Sequence, residues 1–242
     1  MSADKRLVVG IAGVPASGKS TLAKMLVEDT NAALLSQTGG SSEYDVAVLV
    51  GLDGWHLTRA QLDAFPDAKL AHDRRGAHWT FDGDAYVEFV KELRVPLTTA
   101  TSVTVEQDSP TIYAPTFSHE LKDPTPRALA IRPYHRLVII EGLYTFLGID
   151  PWVEAAHALD ERWWVELGEE EAKNRLVARH VQSGVAKDLE EAIWRATEND
   201  APSKWSLRTM SPLTKRCDQT GDSSRKTCWS RRELFTVWMT QF

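Results

Sequence analysis

The sequence predicts an α/β fold, three layers (αβα) around a parallel sheet, and three observations carry that expectation. Short β-branched apolar runs recur along the chain: "RLVVGIAG" (6–13), "VAVLVGLD" (46–53), "RLVIIEG" (136–142) and "RWWVEL" (162–167). Continuous apolar runs of this length suit strands buried on both faces, as parallel strands are. Helical patterns separate the runs, and strands alternating with helices imply a parallel sheet whose ligands lie beyond the strands' C-terminal ends. The first run also passes through a glycine-rich loop straight into a helical pattern. With 242 residues, 43% hydrophobic and 26% charged, the chain reads as one globular domain with appendages.

Taken in order, strand 6–13 leads through the loop to "KSTLAKMLVED", where Leu22, Met25 and Leu26 fall at helical spacing. "SQTGGSSEYD" (36–45) is a polar loop. The second strand ends on Asp53 and the third on Glu141, with helices expected over about 82–94, 168–183 and 188–199. No run of about 18 apolar residues exists, so no transmembrane helix is expected. The N-terminus enters a strand at once, which speaks against a cleaved signal peptide. The only cysteines are Cys217 and Cys228, so a reducing, cytoplasmic location is expected, and two thiols with no nearby histidine make a poor zinc site. Residues 1–200 hold 20 Lys+Arg against 31 Asp+Glu, an acidic body that argues against nonspecific nucleic-acid binding.

The loop "GVPASGKST" carries the chemistry. Gly13, Val14, Pro15, Ala16, Ser17, Gly18, Lys19, Ser20 and Thr21 contain the pattern G-x-x-x-x-G-K-S, the phosphate-binding P-loop, in its required strand–loop–helix setting. Successive backbone N–H groups and the helix N-terminus cradle phosphates, Lys19 reaches the β- and γ-phosphates, and the Ser20 hydroxyl ligates Mg²⁺. ATP and Mg²⁺ are therefore the expected cofactors. Glu141 is placed to help hold the metal, which prefers oxygen ligands. Asp53, ending the second strand, is placed to accept a proton from an attacking hydroxyl. The plain alternative for either carboxylate is a helix cap or turn residue.

"GVPASGKST", "DGWHLTRAQLD", "RRGAHWTFD" and "VIIEGLY" together resemble the phosphoribulokinase, uridine kinase and pantothenate kinase group of P-loop kinases over roughly residues 6–200. The resemblance implies a P-loop NTPase fold with a helical lid near 168–184, and a small-molecule hydroxyl acceptor as partner. It makes Asp53 the base; His56 and Arg59 follow by three and six residues, where His56 would orient the acceptor or Asp53 and a helix starting near 57 would place Arg59 near the phosphates or the acceptor. "RRGAHWTFD" implicates Arg75, His78 and Asp82 on the acceptor, and "YAPTFSHELKDP" (113–124) implicates Phe117 and His119. In the lid, Arg175 and Arg179 would neutralise charge during transfer. Bland readings stand beside these: Arg59 pairs with Asp63, and Glu171, Arg175 and Arg179 form an i,i+4 ladder on a solvated helix.

The kinase domain is expected over 1–200. The tail, 201–242, departs from the group: it is basic, with 8 Lys+Arg against 3 Asp+Glu, rich in Ser, Thr and Arg, and only "ELFTVWM" (233–239) suggests a strand. It reads as the product of a retained intron or altered frame, as a disordered segment, or as a genuine lineage-specific extension. The leading functional expectation is an ATP-dependent kinase acting on a nucleoside, pantothenate-like or sugar hydroxyl. The alternatives are an ATPase or switch, weakened because none of Asn31, Asn174 and Asn199 begins an Asn-Lys-x-Asp element, and an inactive relative of the same fold.

Overall fold

The four apolar runs of the sequence become four of the five strands of one parallel sheet. The computed structural model describes residues 4–37, 39, 44–97, 110–118, 120–182, 188, 190, 193 and 215–218. In chain order the elements are β1 (Leu7–Gly13), α1 (Lys19–Gln37), β2 (Ala47–Gly51), α2 (Arg59–Asp63), α3 (Ala68–Asp73), α4 (Gly83–Leu93), β3 (Ile112–Ser118), β4 (Asp123–Ile131), β5 (Leu137–Glu141), α5 (Trp152–Ala158), β6 (Glu161–Glu166), α6 (Glu169–Gln182) and β7 (Lys215–Asp218), with a 3-10 turn at Leu52–Trp55. The sheet runs β2-β5-β1-β6-β7, all parallel.

Side-chain alternation along each strand sends its apolar residues to both faces, which is why the runs are continuous rather than alternating. Leu7, Val9, Ile11, Ala47, Leu137 and Ile139 face α1 and pack with Ala23. Val8, Val48, Val50, Val138 and Ile140 face the other way, against Tyr86, Val87 and Val90 of α4 and Trp152 and Ala155 of α5. Helices on both faces of the sheet give the three layers. α4 is a clear amphipathic helix: Tyr86, Val87, Phe89, Val90 and Leu93 are buried, and its N-terminus is capped by Asp82, which accepts from the Ala85 N–H at 3.0 Å. Each such apolar side chain, fully buried, contributes about 1.5–3 kcal/mol, and the cap about 1 kcal/mol.

Two features were not anticipated. β3 and β4 form a separate antiparallel hairpin, with a bulge between Ala114 and Thr116. β4 contains Pro124 and Pro126, which a two-stranded ribbon tolerates because each strand has an edge that needs no donor. In the tail, the strand expected at 233–239 lies outside the described residues; the observed strand is Lys215–Asp218, whose "KRCD" has no apolar pattern. It pairs with β6 in the register Trp163↔Lys215 to Glu166↔Asp218. Backbone pairing to an otherwise open sheet edge accounts for it, since edge N–H and C=O groups accept a partner strand of almost any composition. Among the described residues no helix is long and apolar enough to cross a membrane.

Candidate nucleotide and acceptor site

β1 ends at Gly13 and α1 begins at Lys19, so the loop 14–18 joins them at the C-terminal end of a central strand. The Ser17 N–H donates to the Val14 carbonyl at 3.1 Å and the Leu22 N–H to that of Gly18 at 2.9 Å, so the helix starts immediately after the loop. Ala16 and Gly18 both have positive φ, 63° and 86°. Turns of this hand direct successive N–H groups to one side, the concavity that binds anions.

Three charged side chains converge on this loop. Burial pushes the Lys19 ammonium's pKa down, Glu141 and Asp53 oppose that, and Arg179 adds to the lowering. Burial pushes the Glu141 carboxyl up, Lys19 draws it down, Asp53 pushes it up again, and a hydrogen bond from Ser20 draws it down. Glu141 Oε2 is buried and accepts no hydrogen bond. A buried carboxylate oxygen without a donor, beside a serine hydroxyl, suits a hard cation. Among the described residues no three His, Cys, Asp or Glu side chains cluster into a protein-only cage. Ser20 and Glu141 thus fit Mg²⁺ in its usual form, completed by nucleotide phosphates and water.

Chain geometry explains why Asp53 stands near Glu141. Gly51 pairs with Glu141 in the β2–β5 register, and the 3-10 turn at Leu52–Trp55 then carries Asp53 past the end of the sheet. Gly142 is required here: a Cβ on it would lie 2.3 Å from that of Leu52. The Asp53 side chain keeps 61% of its exposure. His56 Nδ1 donates to the Asp53 carbonyl at 2.9 Å and lies 3.9 Å from Asp53 Oδ1. The ring sits between Phe81 and Phe117, centroids 3.9 and 5.1 Å away. Burial holds its pKa below the ordinary value against the pull of Asp53, and Arg75 adds to the lowering, so the ring is neutral at pH 7.

The other expected acceptor contacts divide. Arg59 and Arg75 both engage Asp123 at the start of β4: its Oδ1 accepts from the Arg59 N–H and Arg75 Nη2, each at 2.9 Å, and its Oδ2 from Arg59 Nε at 3.3 Å. Arg75 also donates to the Lys122 and Leu57 carbonyls, at 2.6 and 2.9 Å. These arginines anchor the hairpin tip to the wall that carries His56. The sequence pairing of Arg59 with Asp63 does not form; Asp63 instead meets His72 Nε2 at 2.7 Å. Asp82 is the α4 cap described above. His78 packs edge-on to Tyr144, 6.1 Å between centroids, and burial lowers its pKa. On α6, Arg175 pairs with Glu171 one turn away, whereas Arg179 acts on Lys19. His119 lies outside the described residues. Sequence reasoning missed Asp123, whose only signal was its place in "HELKDP", and Phe81, visible in "TFD" but not singled out. A cavity of about 530 Å³ opens beside this wall, lined by His56, Gln61, Phe89, Tyr113 and Pro115 among others.

A P-loop at a central strand's end, flanked by carboxylates from the ends of two neighbouring parallel strands, defines a P-loop kinase. No protein-family model matches the chain. It is 46% identical over 149 residues to the ATP-dependent kinase-like protein notR' of Aspergillus versicolor, covering 62% of this chain and 82% of that one. A provisionally named uridine kinase of Schizosaccharomyces pombe, C227.14, is 32% identical over 196 residues, 81% of this chain and 75% of its own. The chain belongs to this family, the phosphoribulokinase/uridine kinase-like P-loop kinases. Its fold matches the crystal structure of YFH7 from Saccharomyces cerevisiae with a TM-score of 0.76 at 23% identity, over 90% of this chain and 94% of that one.

Proposed function

We propose that the protein transfers the γ-phosphate of ATP to a hydroxyl of a small metabolite. The observation that supports this best is the convergence of Lys19, Glu141 and Asp53 beyond the ends of β1, β5 and β2. Magnesium, bound with the nucleotide, supplies charge neutralisation between the phosphates. Ser20 and Glu141 hold it, and the loop N–H groups and Lys19 hold the phosphates. Asp53, exposed beyond the sheet, takes the proton from the acceptor oxygen as that oxygen attacks. His56, fixed by two aromatic rings, lines the acceptor side. Arg179 balances charge near the transferred group, and α6 acts as the lid that excludes water, without which ATP would be hydrolysed instead.

The test is ADP release from Mg·ATP with and without acceptors: uridine first, as the fission yeast relative's name suggests, then other nucleosides, pantothenate, sugars and sugar phosphates. Acceptor-dependent release that Asp53→Ala abolishes establishes the transfer. Release indifferent to every acceptor points to an ATPase and sinks the proposal.

A further inference from the structure

We propose that Arg6 and Arg136, at the N-terminal ends of β1 and β5, form a binding site for a phosphate or phosphomonoester dianion, at the end of the sheet opposite the P-loop. The pleat places them together. Val8 on β1 and Val138 and Ile140 on β5 point to the α4 face, so Arg6 and Arg136, two residues before Val8 and Val138, share that face. The register Leu7↔Leu137 and the bond from the Leu7 N–H to the Arg136 carbonyl, 2.8 Å, make them lateral neighbours. Like charges side by side on adjacent strands repel.

Arg6 is 4% exposed, and its Nε and Nη2 are buried with no hydrogen-bond acceptor among the described residues. A buried guanidinium in that state is costly, and such a group calls for a bound ion or water. Asp160 does not serve it: its oxygens accept from Arg94 Nη1 and Nη2 at 2.6 and 3.0 Å and from the Val8 N–H at 2.8 Å. Arg136 spends Nη2 on the Lys5 carbonyl at 2.6 Å, and Asp4 opposes the lowering of its pKa that burial imposes. The surrounding field is positive. Burial and then Arg136 bring the Arg6 pKa down to about 10. Burial, Arg6 and Arg132 bring His135 down to about 4 against the opposing pull of Asp45. A planar guanidinium fork matches two oxygens of a phosphate, and a dianion would relieve both the repulsion and the unmet donors.

The experiment uses the full chain with Lys19→Ala, which weakens phosphate binding at the P-loop, and Arg6→Met separates any binding left there from the second site. Melting temperature is followed while inorganic phosphate, or separately glycerol 3-phosphate, replaces chloride at constant ionic strength. The expected result is a saturable rise of about 5 °C or more at 100 times Kd, lost when Arg6→Met is added. A stronger response to glycerol 3-phosphate than to phosphate identifies an ester as the ligand, and the reverse identifies the free ion. No rise, or a rise that survives Arg6→Met, overturns the site. If Arg6→Met does not fold, the imidazole NMR signals of the Lys19→Ala chain decide. A phosphate-dependent shift of His135 supports the site, and an unmoved His135 overturns it.

Discussion

Glu141 ends β5 and Asp53 lies in the turn just past the adjacent β2, yet their surroundings suit them to different work. Glu141 is half-buried, with its carboxyl pKa raised and Oε2 without a donor; that oxygen gains most from a cation. Glu141→Gln keeps the shape and removes the buried charge. The expected outcome is a chain that melts higher without ligand, because burial and Asp53 outweigh the help that Lys19 and Ser20 give the carboxylate. The same variant should need at least tenfold more Mg²⁺ for half-maximal activity, read by ADP release against metal concentration. Asp53 is exposed, so an acceptor hydroxyl can reach its carboxylate. Asp53→Asn should lower kcat by about 10²–10⁴ while ATP affinity, measured by calorimetry, stays within a factor of three. Equal loss of ATP binding and turnover would make Asp53 a nucleotide ligand rather than a base.

At the scale of elements, the acceptor wall depends on how the β3–β4 hairpin seats on the turn after β2. A Cβ on Gly54 would lie 2.3 Å from the Pro115 carbonyl oxygen, a backbone atom that cannot rotate away. Gly54→Ala should therefore cost about 1–3 kcal/mol, seen as a lower urea midpoint. Asp123→Ala removes the shared acceptor of Arg59 and Arg75 without touching the sheet. Amide exchange should quicken across 112–131 and remain slow across 137–141; uniform acceleration would mean the anchor holds more than the hairpin. These elements also show what the sequence could disclose. Four of the five parallel strands were legible because a strand covered on both faces carries a continuous apolar run, and the P-loop because its backbone geometry restricts residue choice. The hairpin was not: half-exposed, bulged and carrying prolines, it lacks the alternation that marks a strand. β7 was illegible for a different reason, since its state depends on the open edge of β6 and not on its own residues. Arg75 was expected on the acceptor from resemblance, and Arg59 near the phosphates or the acceptor from its place in a helix starting near 57; the residue they bind, Asp123, is distant in sequence from both, and nothing local signals such a pairing.

Over the whole molecule, function and charge separate between the two ends of the sheet. The C-terminal end gathers Lys19, Glu141 and Asp53, while the N-terminal end gathers Arg6, Arg136, Arg132 and His135. His135 gives the second end a measurable signature. Its Nδ1 accepts from the Arg132 N–H at 3.0 Å, which only an unprotonated nitrogen can do. Burial, with Arg6 and Arg132, holds the pKa to about 4 in the folded chain, against about 6.5 when unfolded. The folded value is the lower one, so between those limits the unfolded chain binds the extra proton. Stability is therefore fully present above pH 6.5 and declines as pH falls towards 4, by about 3 kcal/mol in total. His56 and His78 act in the same direction, and Glu141, whose pKa is raised, acts in the opposite one as it protonates. The clean readout is thus a difference between two chains. His135→Asn keeps an oxygen where Nδ1 accepts and cannot take a proton. Urea midpoints of the two chains should converge as pH falls from 7 to 4.5, with the native chain losing its advantage steadily. A difference that stays constant over that range would mean the ring is solvated in the folded chain, and that the basic end of the sheet is more open to water than its buried guanidinium implies.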